Sequence, residues 1–242
     1  DPRTKYGVDY PAPDSWKYHK HLYYVLHKRY TNLNAYGDIL DIERDMECKD
    51  RKDRPYHPHI LLIKEKCRNA PQYKLMKDIT MEPGMEMWTP MVYNGEGIRI
   101  SHPDAKKLAP TLNGKKYQSI VGEPNTIHFQ GAGVSDGLSY LRKLDKILKK
   151  DGENVIGHIA IISGNMASRA MSFVSNDYNW HLTGMFYIPT PDATVSQLIQ
   201  ATGRLCGVYK IKTTLDLFTP LKAANDIIRG VRLQDEMLER VS

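Results

Sequence analysis

The length and composition of the chain are those of an ordinary globular protein with a large core. It has 242 residues, of which 41% are hydrophobic and 26% are charged. Its formal net charge of +6 favours polyanionic partners such as nucleic acid, although many basic proteins bind none. No apolar run approaches the ~20 residues that span a bilayer, and the first residues do not form a signal peptide. Membrane and secreted proteins are therefore disfavoured.

The cysteine pattern argues for a reducing compartment. Cys48, Cys67 and Cys206 are far apart and odd in number, so they indicate neither a disulfide framework nor a Cys-x-x-Cys metal site. Two His-x-His pairs lack a third ligand nearby, so we predict no metal site. The expected location is intracellular, in the cytoplasm, the nucleus or a viral replication site.

Residues 1–56 are predicted to form a connector and a helical extension. Residues 1–15 are rich in proline, tyrosine and charge, residues 16–30 favour a helix, and residues 41–55 are almost entirely charged. This composition places a domain boundary before residue 57. Because the chain starts without methionine, we expect it to be an excerpt of a longer protein.

Residues 57–242 show alternating strand and helix patterns. Buried strands are predicted at 59–63, 156–162, 181–188 and 214–218, and helices at 71–79, 135–148, from 194 and from 219. The apolar face of the last helix is expected to include Leu221, Ala224, Ile227, Ile228, Val231 and Leu238. Glycine turn signals and short strands such as 97–101 suggest an irregular insertion near 81–117. The pattern predicts an α/β fold with a parallel sheet and helices on both faces.

The segment QATGR, residues 200–204, is predicted to lie on the helix that follows the third strand. Thr194 and Gln197 have the Thr-x-x-Gln spacing of a capping box at its start. Gln200 and Arg204 are four residues apart, so they are expected to share the face opposite the apolar one, with Gly203 inside the helix. A guanidinium in such a cleft can bind phosphate through two hydrogen bonds.

A glycine turn precedes the helix that is expected to be capped by Ser135. Free backbone N–H groups and the dipole of a helix favour an anion at such a position. We predict that Gly131, Gly133 and Ser135 contact a nucleic-acid phosphate, with a purely structural turn as the alternative. A dinucleotide fingerprint fits poorly, because the spacing to Gly137 is one residue too long.

These segments resemble the second RecA-like lobe of superfamily 2 helicases and DNA translocases. QATGR resembles the Q-x-x-G-R signature of motif VI, and GNMASRAMSF, residues 164–173, resembles the motif V loop directly after a strand. The resemblance covers roughly residues 57–240, with specific motifs only at 163–173 and 200–207. It is of a divergent, viral or phage-like type.

The resemblance implies a RecA-like fold and an ATP site completed by a first lobe of the same parent protein. That first lobe would make most of the contacts to ATP and Mg²⁺. This chain alone should be inactive because it has no Walker A loop. Arg204 would be the arginine finger, with Gln200 beside it. Gly203, Arg169 and Ser168 would contribute to the nucleotide site and to its coupling to the nucleic-acid backbone. Asn165 and the glycine loop (residues 131–133), together with Ser135, would contact the nucleic acid, DNA rather than RNA.

Two departures from the family pattern bear on this interpretation. Gly207 stands where a second arginine is frequent, and Ala170 and Ser172 replace the usual glycine and acidic residue after Arg169. The alternative is a degenerate, non-catalytic RecA-like module that binds nucleic acid or a protein. A third possibility, a dinucleotide-dependent enzyme, has little support from the Gly131 loop.

Overall fold

The computed structural model describes residues 58–64, 68–83, 85–108, 111–112, 115–149, 154–164, 172–190, 192–205 and 215–240. The predicted connector and helical extension at residues 1–56, and the boundary that follows them, lie outside these ranges and stay predictions. No helix within the described ranges is both long enough and apolar enough to cross a lipid bilayer.

The described residues form ten strands and four helices. The strands are β1 (His59–Lys64), β2 (Trp88–Asn94), β3 (Gly97–Ser101), β4 (Thr111–Leu112), β5 (Lys115–Lys116), β6 (Gln118–Ile120), β7 (Glu123–Gln130), β8 (His158–Ser163), β9 (Gly184–Tyr187) and β10 (Asp216–Phe218). The helices are α1 (Asn69–Met81), α2 (Val134–Leu148), α3 (Val195–Thr202) and α4 (Leu221–Glu239). The strands and helices predicted from the sequence are therefore confirmed to within about three residues at their ends.

Eight of the described strands form one mixed sheet in the order β10-β9-β1-β8-β2-β3-β7-β6. The first five in this order are parallel, whereas β3, β7 and β6 pair in antiparallel fashion. The α/β class is confirmed, and the predicted parallel sheet is confirmed for the five strands from β10 to β2, while β3, β7 and β6 make the sheet mixed. Two-residue turns join β2 to β3 and β6 to β7, and turns this short connect only antiparallel strands.

The segment 81–117 belongs partly to the sheet and is not simply an irregular insertion. β2 lies between β8 and β3, and all seven of its residues are buried. The sequence of β2, WTPMVYN, does not read as a central strand because it contains a proline, which is usually absent from central strands. Pro90 is tolerated where β2 pairs with β8 alone, since the register with β3 begins at Met91.

Apolar side chains alternate between the two faces of the sheet, and helices cover both. In β1, Ile60 and Leu62 pack in the cluster that contains side chains of α2, α3 and α4. Leu61 and Ile63 point to the other face and pack with residues of α1. The helices on both faces are thus confirmed, and β1 is buried on both sides.

The predicted apolar face of α4 is buried only near its start. Of the residues predicted for this face, Ile227 is partly buried against the main core cluster, whereas Ile228, Val231 and Leu238 are 51%, 40% and 70% exposed. The helix crosses α3 closely at Gly230, where a Cβ atom would lie 2.4 Å from Cγ1 of Val195. A helix of 19 residues extends about 28 Å, more than twice the length of the eight-residue α3, so its second half passes beyond the layer that covers it.

Candidate functional site

The carboxyl ends of the parallel strands meet at one edge of the sheet, which we call the carboxyl edge. Ser163 of β8 is the register partner of both Lys64 of β1 and Tyr93 of β2, and Lys64 also pairs with Tyr187 of β9. The Lys64 ammonium lies 4.6 Å from the centre of the Tyr187 ring. Open α/β sheets bind ligands outside the carboxyl ends of their strands. The carboxyl edge is therefore the expected location of a ligand site.

The predicted glycine loop lies at this same edge. Gln130, the last residue of β7, pairs with Gly97, which pairs with Asn94 at the end of β2. β7 therefore runs in the same direction as β2 and delivers Gly131 to the carboxyl edge. Gly131 has a φ of 65°, in the left-handed region that favours glycine. The predicted glycine turn at the start of a helix is therefore confirmed, while its contact with a phosphate stays a prediction.

The turn between β2 and β3 supports the glycine loop. The Gly131 N–H donates to the carbonyl oxygen of Glu96 over 3.0 Å. Gly97 has a φ of 120°, and a Cβ atom there would lie 2.2 Å from the carbonyl oxygen of Phe129 and 2.5 Å from the Gly131 nitrogen. No side chain fits at residue 97, because the glycine loop packs directly on that backbone.

The Glu96 side chain joins this turn to the start of α1. Its carboxylate accepts hydrogen bonds from Asn69 Nδ2 and Tyr73 Oη, both over 2.7 Å, and pairs with Arg99 Nη2 at 3.2 Å. The Tyr73 hydrogen bond is the main cause that lowers the pKa of Glu96. Burial raises the pKa of Tyr73, so that hydroxyl remains a donor at neutral pH. The carboxylate thus clamps the β2–β3 turn beneath the glycine loop.

Helix α2 begins at Val134 and is capped by Gly133, so the predicted cap at Ser135 is wrong. The Gly133 N–H donates to Asp136 Oδ2 over 3.0 Å. A carboxylate at the third helical position reaches back to the N-cap backbone, and its charge complements the helix dipole. The Asp136 carboxylate therefore sets the helix start two residues earlier than a cap at Ser135 would. Ser135 therefore lies in the first turn, half-buried.

A cavity of about 260 Å³ opens in front of this helix start. Its lining residues come from the first turn of α2 and from a turn after the predicted motif V loop: Gly133, Val134, Ser135, Ser172, Val174, Ser175, Asn176 and Tyr178. The structure thus brings the glycine loop and the end of GNMASRAMSF together. Nothing in the sequence pattern relates these two segments, which are about 40 residues apart.

The turn at 174–181 is fixed against α2 by polar contacts. Asp177 forms an ion pair with Arg142 and accepts a 2.7 Å hydrogen bond from the Ser175 hydroxyl. The Ser175 hydroxyl oxygen also accepts the Trp180 N–H over 2.9 Å, and the Asn176 N–H donates to Ser139 Oγ over 2.8 Å. These bonds determine the path of the turn along one wall of the cavity.

Tyr178 is one of the cavity residues that the motif analysis did not identify. Its φ of 58° is unusual for a residue other than glycine and costs about 1–2 kcal/mol. Its side chain is 55% exposed, although Trp180 and Phe173 on the same segment are buried. The asparagine and aspartate around it signal a turn, but no local pattern shows that the turn faces a cavity.

The helix that carries QATGR has the predicted start and a different end. The Thr194 N–H donates to Gln197 Oε1 over 2.9 Å, and the Gln197 N–H donates to Thr194 Oγ1 over 3.3 Å, which confirms the capping box. The helix ends at Thr202, and Gly203 is its C-cap with φ −56° and ψ −11°. The expectation that Gly203 lies inside the helix is therefore wrong.

Arg204 is carried by the turn after α3 and not by the helix itself. Its side chain is half-buried, Gln200 is exposed, and Leu205 is buried in the main core. Neither Gln200 nor Arg204 lines the cavity at the start of α2. The prediction that the two side chains share one helical face is corrected, because the helix stops before Arg204.

Three predicted site residues, Asn165, Ser168 and Arg169, lie outside the described residues. Their roles stay predictions of the family resemblance. Among the residues that the structure does describe, no three His, Cys, Asp or Glu side chains are grouped so that they could hold a metal ion.

Comparisons with known proteins assign no family to the chain. No model of a protein family, no curated protein and no solved structure matches it. The functional interpretation therefore depends on the two short motifs and on the geometry of the carboxyl edge.

Proposed function

We propose that this chain is the second motor lobe of an ATP-dependent nucleic-acid helicase or translocase. One observation carries the proposal: the glycine loop and the end of the motif V-like segment line one cavity at the carboxyl edge. Both were identified in the sequence as contacts for nucleic acid or nucleotide. Their meeting in space supports a shared ligand.

The cavity has the chemistry of a phosphate contact. The start of α2 carries the partial positive charge of the helix dipole, which favours an anion, while the Gly133 N–H already donates to Asp136 and the Asp136 N–H to the Gly133 carbonyl oxygen. Ser135, Ser172 and Asn176 add polar side chains to the walls. These groups recognise a phosphate without reading a base, which is how a motor holds a strand of any sequence. The net charge of +6 favours a nucleic acid as the partner. We propose DNA rather than RNA.

Arg204 would act at a separate place, the ATP site between this lobe and a first lobe of the parent protein. The first lobe would bring the phosphate loop and Mg²⁺, and Arg204 would stabilise the charge that develops on the γ-phosphate, with Gln200 nearby. The burial of Leu205 next to it restricts the turn that carries the guanidinium. Parallel strands with helices on both faces are compatible with the RecA-like fold that this role requires.

The test of the motor function is the ATPase rate of the parent protein. Arg204→Ala should lower the nucleic-acid-stimulated turnover by a factor on the order of 10³ or more while the affinity for ATP changes little. Arg229→Ala, at an exposed arginine of α4, is the matched control and should leave turnover unchanged. Equal losses of affinity and turnover, or no loss, would contradict the finger role.

A binding module without ATPase activity is the second candidate. It is favoured by the position of Arg204 outside the cavity and by Gly207, which removes a second finger. In that case the cavity would hold nucleic acid and Arg204→Ala would be silent in every assay. Oligonucleotide binding by a parent protein that hydrolyses no ATP would decide for this candidate.

A further inference from the structure

We infer that Lys64 and Thr219 hold a phosphate group at the carboxyl edge, beside the start of α4. This site is separate from the cavity before α2, and it does not require the motor function. It lies where two neighbouring parallel strands, β1 and β9, send the chain in opposite directions. Helix α1 after β1 packs on one face of the sheet, and α3 after β9 packs on the other. Open α/β sheets bind ligands in the crevice that forms at such a switch point.

Lys64 supplies the positive charge of this crevice. It is the last residue of β1, and its register partner in β9 is Tyr187. The Lys64 ammonium lies 4.6 Å from the centre of the Tyr187 ring, so the lysine side chain leans over β9. The ring is only 6% exposed and is therefore a fixed support for the cation. The ammonium is thus placed on the side of β1 where β10 lies.

Thr219 belongs to the same row of residues. Phe218 of β10 is the register partner of Phe186, so Thr219 follows in line with Tyr187. Pro220 comes next and favours an extended backbone at residue 219. Phe218 and Phe186 pack on the α1 face, and side chains alternate along an extended chain. The Thr219 side chain is therefore directed to the other face, where Tyr187 and residues of α4 pack.

The Thr219 hydroxyl is buried without a hydrogen bond. Thr219 is 7% exposed, and its Oγ1 atom has no partner among the described residues. A buried hydroxyl without a partner costs free energy, and most buried polar groups in proteins have one. A bound ligand at this point would supply the missing partner.

The start of α4 adds an electrostatic preference for an anion. Pro220 is the N-cap, no side chain of the described residues caps the helix, and its first turn contains no acidic residue. The first helical hydrogen bond runs from the Ala224 N–H to the Pro220 carbonyl oxygen, so the N–H groups of residues 221–223 precede it. In α2, by contrast, the Asp136 carboxylate already occupies this position. The dipole of α4 therefore meets no anion of its own first turn.

The spacing and chemistry of these groups suit a phosphate. Lys64 and Thr219 are two strand spacings apart, about 10 Å, and the reach of the ammonium over the Tyr187 ring covers about half of this distance. A phosphate group can bridge the remainder with a hydrogen bond at each side. Its several oxygens can accept from the ammonium, the hydroxyl and the helix N–H groups together. The phosphate can belong to a nucleotide or to a nucleic-acid backbone.

The experiment measures binding of the chain to two fluorescent probes, an ATP analogue and an oligothymidine strand, with inorganic phosphate as competitor. Lys64→Met and Thr219→Val should each weaken the binding of at least one probe by on the order of tenfold. A loss for the ATP analogue alone identifies a nucleotide phosphate, and a loss for the oligothymidine alone identifies the backbone. Lys64→Arg keeps the charge and should retain most of the affinity.

Two measurements separate ligand binding from folding and from general charge. Thr219→Val removes a hydroxyl that has no partner in the folded chain, so its melting temperature should not fall below that of the wild type. A hydroxyl with a structural partner would give a lower melting temperature. Lys77→Met removes an exposed lysine charge on α1 and is the matched control, so it should change the affinity less than about twofold.

The failures of this site and of the motor function are distinguishable. If the wild-type chain binds a probe and only one or neither of Lys64→Met and Thr219→Val binds it more weakly, the shared site is overturned. Equal losses for Lys64→Met and Lys77→Met would also overturn it, because they would reflect net charge alone. If the wild-type chain binds neither probe, the site fails, while the ATPase test of Arg204→Ala in the parent protein still decides the motor function.

Discussion

The glycine loop and the Arg204 turn differ in what holds them. The glycine loop rests on the β2–β3 turn through the Glu96 carbonyl oxygen and through the close backbone contact at Gly97. The Arg204 turn is held by its own helix and by the buried Leu205. A site built from contacts between distant segments is organised before its ligand arrives. An arginine on a helix end depends more on the partner that completes its site.

The largest expected effect breaks the support of the glycine loop. Gly97→Ala places a Cβ atom against the Phe129 carbonyl oxygen at a φ of 120°, so we expect at least about 3 kcal/mol of lost stability in urea unfolding. Gly95→Ala in the same turn is the control, because a Cβ atom at Gly95 meets nothing within 4 Å. Similar stabilities of the two variants would show that the close contact at residue 97 is unimportant.

A smaller effect is expected from the Glu96 clamp. Glu96→Gln removes the charge that pairs with Arg99, and because this carboxylate is 46% exposed, the loss should stay below about 1 kcal/mol. The pKa of Glu96 is lowered by folding, so its contribution is complete above the ordinary glutamate pKa and disappears as the pH falls through the lower folded value. The stability difference between wild type and Glu96→Gln should therefore shrink on acidification.

The control for the Glu96 experiment is Glu236→Gln on the exposed half of α4. It removes a carboxylate that does not belong to the clamp. A difference for Glu96→Gln that grows on acidification would contradict the clamp.

The smallest expected effect is at the exposed end of α4. Leu238→Ala should change the stability of the chain by less than about 0.5 kcal/mol, because this side chain is 70% exposed. Leu198→Ala in α3 removes a side chain that is 2% exposed and should cost about 2–4 kcal/mol. The two values come from thermal or urea unfolding. A large loss for Leu238→Ala would show that this end of α4 is covered.

Local patterns were sufficient for most helices and for the buried strands on the β1 side of the sheet. The Thr194 and Gln197 capping box needs only residues three positions apart, and the apolar run of β1 is explained by its burial on both faces. The glycine turn before α2 is predictable for the same reason, because its left-handed residue is a glycine.

The errors occurred where a distant segment decides the outcome. The exposed half of α4 has an apolar pattern like the buried half, and only the length of α3 separates the two. The start of α2 is an error of another kind, because it is local: the Gly133 N–H donates to Asp136, and Ser135 is not the cap.

The sequence by itself thus determined the α/β class, the four helices, the buried strands on the β1 side and the two motifs, because periodicity, caps and turns act within a few residues. Only the tertiary structure decided that β2 is central despite Pro90, that the glycine loop meets the 174–181 turn, and that Tyr178 faces their cavity. The physical reason is that sheet order, close backbone contacts and cavities depend on residues tens of positions apart, whose meeting no local pattern encodes.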